Sequence, residues 1–181
     1  MIKMKFGIIL SLIASLVLSP ATSRADSTRL DVDAAKNAAI RMKSAADQFK
    51  ATIVNNPQKG LVDQAQASTL NQALKAKESG IKNGTINVTA AVKSQFLMGL
   101  PAAYKQYEDG TTNQKTATDY YSAGDNAMRE APTKPTNDLK ITTYGVAAAK
   151  YSQAASQFDT AEKNYQGFCK NAQGLLNLLP R

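Results

Sequence analysis

Apolar side chains in this chain recur three and four residues apart, and in two stretches they do so almost without interruption. Val32, Ala35, Ala39, Met42, Ala46, Phe49 and Ile53 form the first series. Such spacing places them on one face of one helix. Asn55, Asn56 and Pro57 end it, because proline disfavours helical geometry in the residue before it. The second series is longer: Ile141, Tyr144, Ala148, Tyr151, Ala155, Phe158, Glu162, Tyr165, Cys169, Ala172, Leu176 and Leu179, with Glu162 its one charged member. Unbroken, it would make a helix of about 58 Å at 1.5 Å per residue. Gly145, Gly167 and Gly174 each weaken it, so the sequence predicts a bend or break at one of them.

Three less regular helices are expected between these two. Residues 60–79 carry Leu61, Ala65, Leu70, Ala73 and Leu74, diluted by Asp63, Gln64 and Gln66, and end at Gly80 as a C-terminal cap. Val88, Val92, Phe96, Gly99, Ala103 and Tyr107 line the next, capped by Asn87, with a kink or a fresh start at Pro101. Gly110, Thr111 and Thr112 predict a turn, after which Ala117, Tyr120, Gly124, Ala127 and Ala131 form a further seam. Residues 132–138, with two prolines, are the longest linker and too short to separate domains. Nothing alternates with period two. The expected fold is therefore all-α: an antiparallel bundle of four to five helices with a long C-terminal helix, in a single domain over residues 26–181.

One fragment is echoed within the chain. Ala45, Ala46, Asp47, Gln48 and Phe49 recur as Ala154, Ala155, Ser156, Gln157 and Phe158. Tyr151, Ala154, Phe158 and Ala161 also have the spacing found in the second helix of tetratricopeptide repeats, but no complete repeat unit is present. A partial tetratricopeptide-like scaffold is thus a minor alternative to recurrence by chance in Ala-rich helices.

The first 25 residues read as an address. Lys3 and Lys5 precede an uncharged run over residues 7–18, about 18 Å as a helix and short of a bilayer core of about 30 Å. Pro20 ends that run, and Ser23 and Ala25 are small residues suited to cleavage after Ala25. A cleaved signal peptide over residues 1–25 implies an exported protein, periplasmic or extracellular. Export removes Lys3, Lys5 and Arg24 from the 22 basic residues, leaving 19 against 14 acidic ones and a net charge of +5. No two basic residues are adjacent, so specific nucleic-acid binding is not expected, while weak contact with anionic surfaces or membranes is.

Composition narrows the chemistry. The 181 residues include one Cys, 29 Ala, no His and no Trp. That excludes Cys/His zinc sites and His-dependent triads, and no Gly-rich phosphate loop or carboxylate cluster stands out. No catalytic, cofactor-binding or metal-ligating residue is assigned, and no cofactor is expected. Cys169 sits on the long seam and reads as a packing residue, with an intermolecular disulfide as the alternative. Glu162 on the same seam must be paired, exposed or functional; Lys59, Lys93, Arg41 and water are its expected partners, water first. Asn83 and Asn87 begin glycosylation sequons that read as a polar turn and a helix cap.

The tyrosines all lie in the second half of the chain. A tyrosine gives apolar area and a hydroxyl, which suits either a bundle core or a recognition groove. Tyr144, Tyr151, Tyr165, Leu175, Leu176 and Leu179 are the candidate partner-binding residues. The reading that follows is a non-enzymatic, exported helical bundle acting by protein–protein interaction, as an adaptor, chaperone-like or surface-assembly component, with self-association open. A membrane-active or cell-surface-binding protein is the first alternative, and a bundle for a small ligand the second.

Overall fold

A computed structural model describes residues 28–54 and 64–180 of the chain. The signal segment, the helix stop at Asn55 to Pro57 and residues 60–63 lie outside the described residues. Four α-helices and a short 3-10 turn account for most of the described chain: α1 (Arg29–Val54), α2 (Gln64–Lys82), α3 (Ala90–Glu130), the turn Ala131–Thr133, and α4 (Asn137–Leu176). No strand occurs among the described residues.

Helices α3 and α4 contain 41 and 40 residues and form an antiparallel hairpin. Each is about 60 Å long at 1.5 Å per residue. The expected turn at Gly110 and the break at Gly99 or Pro101 are absent, as is any break at Gly145, Gly167 or Gly174. The reason lies in a size match that neither helix shows alone. At seven-residue intervals α3 and its extension bury Phe96, Ala103, Gly110, Ala117, Gly124 and Ala131, nearly all small. At the same interval α4 and its extension bury Tyr144, Tyr151, Phe158, Tyr165, Ala172 and Leu179, mostly large. A Cβ on Gly110 would stand 2.9 Å from the Tyr165 ring, and one on Gly124 would stand 2.8 Å from the Tyr151 ring. These glycines are holes for tyrosine knobs, and that packing outweighs their cost of about 1 kcal/mol each in helix propensity. Near the far end Gly99 admits Leu175 in the same way.

The third layer is built from two helices in succession. Tyr121 and Asp125 of α3 meet Asp47 and Lys43 of α1, while Tyr104 and Gln114 of α3 meet Glu78 and Gln64 of α2. Both short helices therefore run antiparallel to α3 and parallel to α4, one beyond the other along the hairpin. Four helices are described, within the expected four to five, but α1 and α2 run parallel to each other and to α4, which corrects the expected antiparallel setting of neighbours. The parallel setting of α1 and α4 brings the echoed fragments level with one another, since Thr52 reaches Glu162 and Lys43 lies over the Tyr151 ring. Antiparallel pairing, as within a helix–turn–helix repeat, is not how these fragments meet.

The first seam is inside as expected, with Ala39, Ala46 and Ile53 fully buried. The α2 stripe has a different phase: Ala67, Asn71, Leu74 and Ile81 are buried, whereas Leu70 and Ala73 are half-buried and Ala65 is exposed. Helix α2 continues through Gly80, whose bare Cα faces Ile86, and the left-handed residue that follows is Gly84, at φ 78°. Thr89, not Asn87, caps α3 by accepting from the Val92 amide; Thr136 caps α4 by accepting from Leu139. Cys169 is buried at 5% exposure on the α4 seam, so a disulfide to a second molecule requires that the helices separate.

Candidate functional site

Three helices converge around Asp125. Lys43 of α1 donates to Asp125 Oδ1, and the Tyr151 hydroxyl of α4 donates to the same oxygen at 2.6 Å. The Lys43 ammonium lies 5.1 Å from the centre of the Tyr121 ring and 5.5 Å from that of Tyr151. Lys50 covers Tyr121 at 4.7 Å, and the two tyrosines meet edge-on at 5.4 Å. The Tyr121 hydroxyl donates to Asp47. Helical spacing explains the set: Lys43, Asp47 and Lys50 stand four and three residues apart on one face of α1, as do Tyr121 and Asp125 on α3.

Electrostatics follow from that geometry. The bond to Asp125 holds the Lys43 ammonium well above the usual lysine value. Burial alone would lift the Asp125 carboxyl, but donation from Lys43 and Tyr151 overcomes it and leaves the group below its usual range. Burial, then the Asp125 carboxylate, pushes the Tyr151 phenol up, and burial with Asp47 does the same to Tyr121. A cavity of about 390 Å³ opens beside this junction, lined by Lys43, Asp125, Met128, Arg129 and Tyr151. Asp125 accepts from both Lys43 and Tyr151, so the arrangement ties α1, α3 and α4 together at one carboxylate. Among the described residues no group of three or more His, Cys, Asp or Glu could hold a metal ion.

A different arrangement marks the other half of the hairpin. Tyr165 donates to Gln114 at 2.8 Å and Gln114 donates to Gln64 at 2.9 Å, a chain from α4 through α3 to the start of α2. Near the end of α2, the Tyr104 hydroxyl and the Lys82 ammonium both donate to Glu78, at 2.7 and 2.5 Å. Lys82 and then Tyr104 hold the Glu78 carboxyl below its usual range. Between these ties Asn71 lies in the buried stripe at 8% exposure, and its Oδ1 has no hydrogen-bond partner among the described residues. Each such orphan costs about 1–3 kcal/mol.

The sequence-predicted partner-binding residues are mostly inside. Tyr144, Tyr151, Tyr165 and Leu179 are buried, and Leu175 and Leu176 are half-buried against the core at the α2 end of the hairpin. As folded, the three tyrosines serve the α3–α4 interface. Glu162 is half-exposed and meets the Thr52 hydroxyl at 3.0 Å and the Gln166 amide at 2.9 Å; of its expected partners, Lys59 lies outside the described residues. Sequence reasoning missed Lys43, Asp125 and Asn71. Only Asn71 left a local signal, as a polar residue three before Leu74 and four after Ala67.

Among the described residues no helix is long and apolar enough to cross a membrane. No family model, curated protein or solved structure matches this chain.

Proposed function

We propose that this chain is exported after removal of residues 1–25 and works without catalysis, as a helical scaffold that binds another protein. The observation that carries the reading is the division of labour along the hairpin. One half is closed by a three-helix polar clamp, whereas the other is covered by a short helix with a mismatched core residue, beside half-exposed Leu175 and Leu176. A partner helix would bury its apolar face there, in the helix-in-groove mode. A photoreactive residue in place of Leu176, in cells exporting the full chain, tests this. One reproducible protein adduct, mapped to a single helix of that protein, is expected; adducts with lipid alone, or none, would overturn it. Mass spectrometry of the exported protein should show Asp26 as its first residue.

A second reading, contact with an anionic surface, draws on the opposite end. Among the described residues, four of the five exposed large apolar side chains, Leu30, Ile40, Leu139 and Val146, lie in the first halves of α1 and α4, where Lys36, Arg41 and Lys140 add basic charge and Arg29 is paired with Asp33. Co-sedimentation with vesicles containing anionic lipid, abolished by salt and by Leu30→Asn with Leu139→Asn, distinguishes it from the first.

A further inference from the structure

The two helices of the third layer are held by different means, and the difference singles out α2. Its buried stripe of Ala67, Asn71, Leu74 and Ile81 contains one amide where the pattern calls for an apolar side chain. The Asn71 Oδ1 atom is buried and, among the described residues, unpartnered. Among its polar ties, Gln64 and Lys82 are exposed and Glu78 bonds from near the end of the helix. Its bonds to Gln114 and Tyr104 set α2 level with residues 104–114 of α3, the stretch where Tyr107 belongs to the core with Phe168 of α4. Tyr107 and Phe168 stack there at 5.2 Å.

We infer that α2 is a built-in, displaceable occupant of the partner site, and that the partner is an amphipathic helix of the same pattern with an apolar residue at the place of Asn71. This rests on the scaffold reading above and names the site and chemistry of its partner. The incoming helix runs antiparallel to α3. It places aliphatic side chains where Ala67, Leu74 and Ile81 now stand, and a carboxylate in the position of Glu78 to accept from Tyr104. Filling the place of Asn71 with a methyl-bearing side chain removes the orphaned oxygen, so the partner gains over α2 at that one contact. Asn71 thereby keeps the site covered in the absence of a partner and lets it open in its presence, an equilibrium that differential affinity shifts.

The test uses the purified exported chain and a fluorescent peptide of residues 64–82 carrying Asn71→Leu. Peptide is titrated through the millimolar range, because tethered α2 competes at an effective concentration of about that order. Binding to the wild-type chain is expected to be about fivefold tighter than binding to the Asn71→Leu chain, whose own α2 no longer carries the mismatch. Hydrogen exchange should show α2 amides opening at least tenfold more often than those of α1. Equal binding to both chains, no binding to either, or α2 protection matching that of α4 would each overturn the inference. Peptide exchange with no protein adduct at Leu176 removes the scaffold reading and leaves α2 displaceable; an adduct with α2 fully protected does the reverse.

Discussion

Helices α1 and α2 lie on the same hairpin, in the same direction, and solve the same burial problem with different chemistry. Helix α1 meets α4 through fully buried Ala39, Ala46 and Ile53, and it is fastened by Lys43 to a carboxylate that also receives Tyr151. Helix α2 carries Leu74 and Ile81 at its centre and end but spends one buried position on Asn71. A charge with two partners and ring faces around it is satisfied; an amide oxygen with none is not. The pair shows that two helices on one hairpin can differ in polar satisfaction at one or two positions, in addition to their difference in length and apolar packing.

The largest expected effect falls on the hairpin that both halves share. Phe158→Ala should cost about 3–5 kcal/mol in urea unfolding, since Phe158 is 1% exposed. An unchanged midpoint would remove the hairpin as the common foundation. Next come the two tyrosine holes, one in each half: Gly124→Ala beside Tyr151 and Gly110→Ala beside Tyr165 should each lose about 1–2 kcal/mol. Overpacking there outweighs the gain in helix propensity. A higher melting temperature for either would show that the helices can separate at that level without loss.

The remaining experiments separate α1 from α2. Asn71→Leu should raise stability by about 1 kcal/mol and slow exchange of α2 alone; a lower melting temperature would mean that the amide is satisfied. Asp125→Ala should lower stability by about 1 kcal/mol, because Lys43 and Asp125 each keep over a third of their side-chain exposure and solvent screens the pair. Its effect should appear as faster exchange in α1, with α2 unchanged. Acid provides the smallest effect. Glu78 and Asp125 are both held below their ordinary values of 4.5 and 3.8, so each contributes stability above those values that is lost as pH falls. Chemical shifts should therefore report loosening of both α2 and α1 as pH falls below those values; helices unchanged on acidification would contradict the assignment of these two ties.

The long C-terminal seam was legible because a three-four repeat needs only one helix to state it, and the structure buries Tyr144, Tyr151, Phe158, Tyr165, Cys169 and Ala172 as the spacing implies. Gly110 was read as a turn because glycine favours turns locally, and nothing near it in sequence reveals the Tyr165 ring that needs its bare Cα. The α2 stripe was misphased for a related reason: Leu70 and Ala73 look like core, and only the position of α3 and α4 shows that Asn71 is the residue turned inward. Lys43 and Asp125 are 82 residues apart, beyond the reach of any local pattern.

Sequence alone determined that the chain is helical, where its first and last seams run, that it lacks His-dependent chemistry, and that its charge is diffuse. Those properties follow from local periodicity and from inventory, which a linear string contains completely. Tertiary structure decided that the two helices expected over residues 88–131 are one rod, that the long C-terminal helix runs without a break, that α1 and α2 follow one another along them, and which polar groups are satisfied. A glycine, a tyrosine, an aspartate or an asparagine acquires those roles from whatever stands opposite it, and that is fixed only when the helices pack.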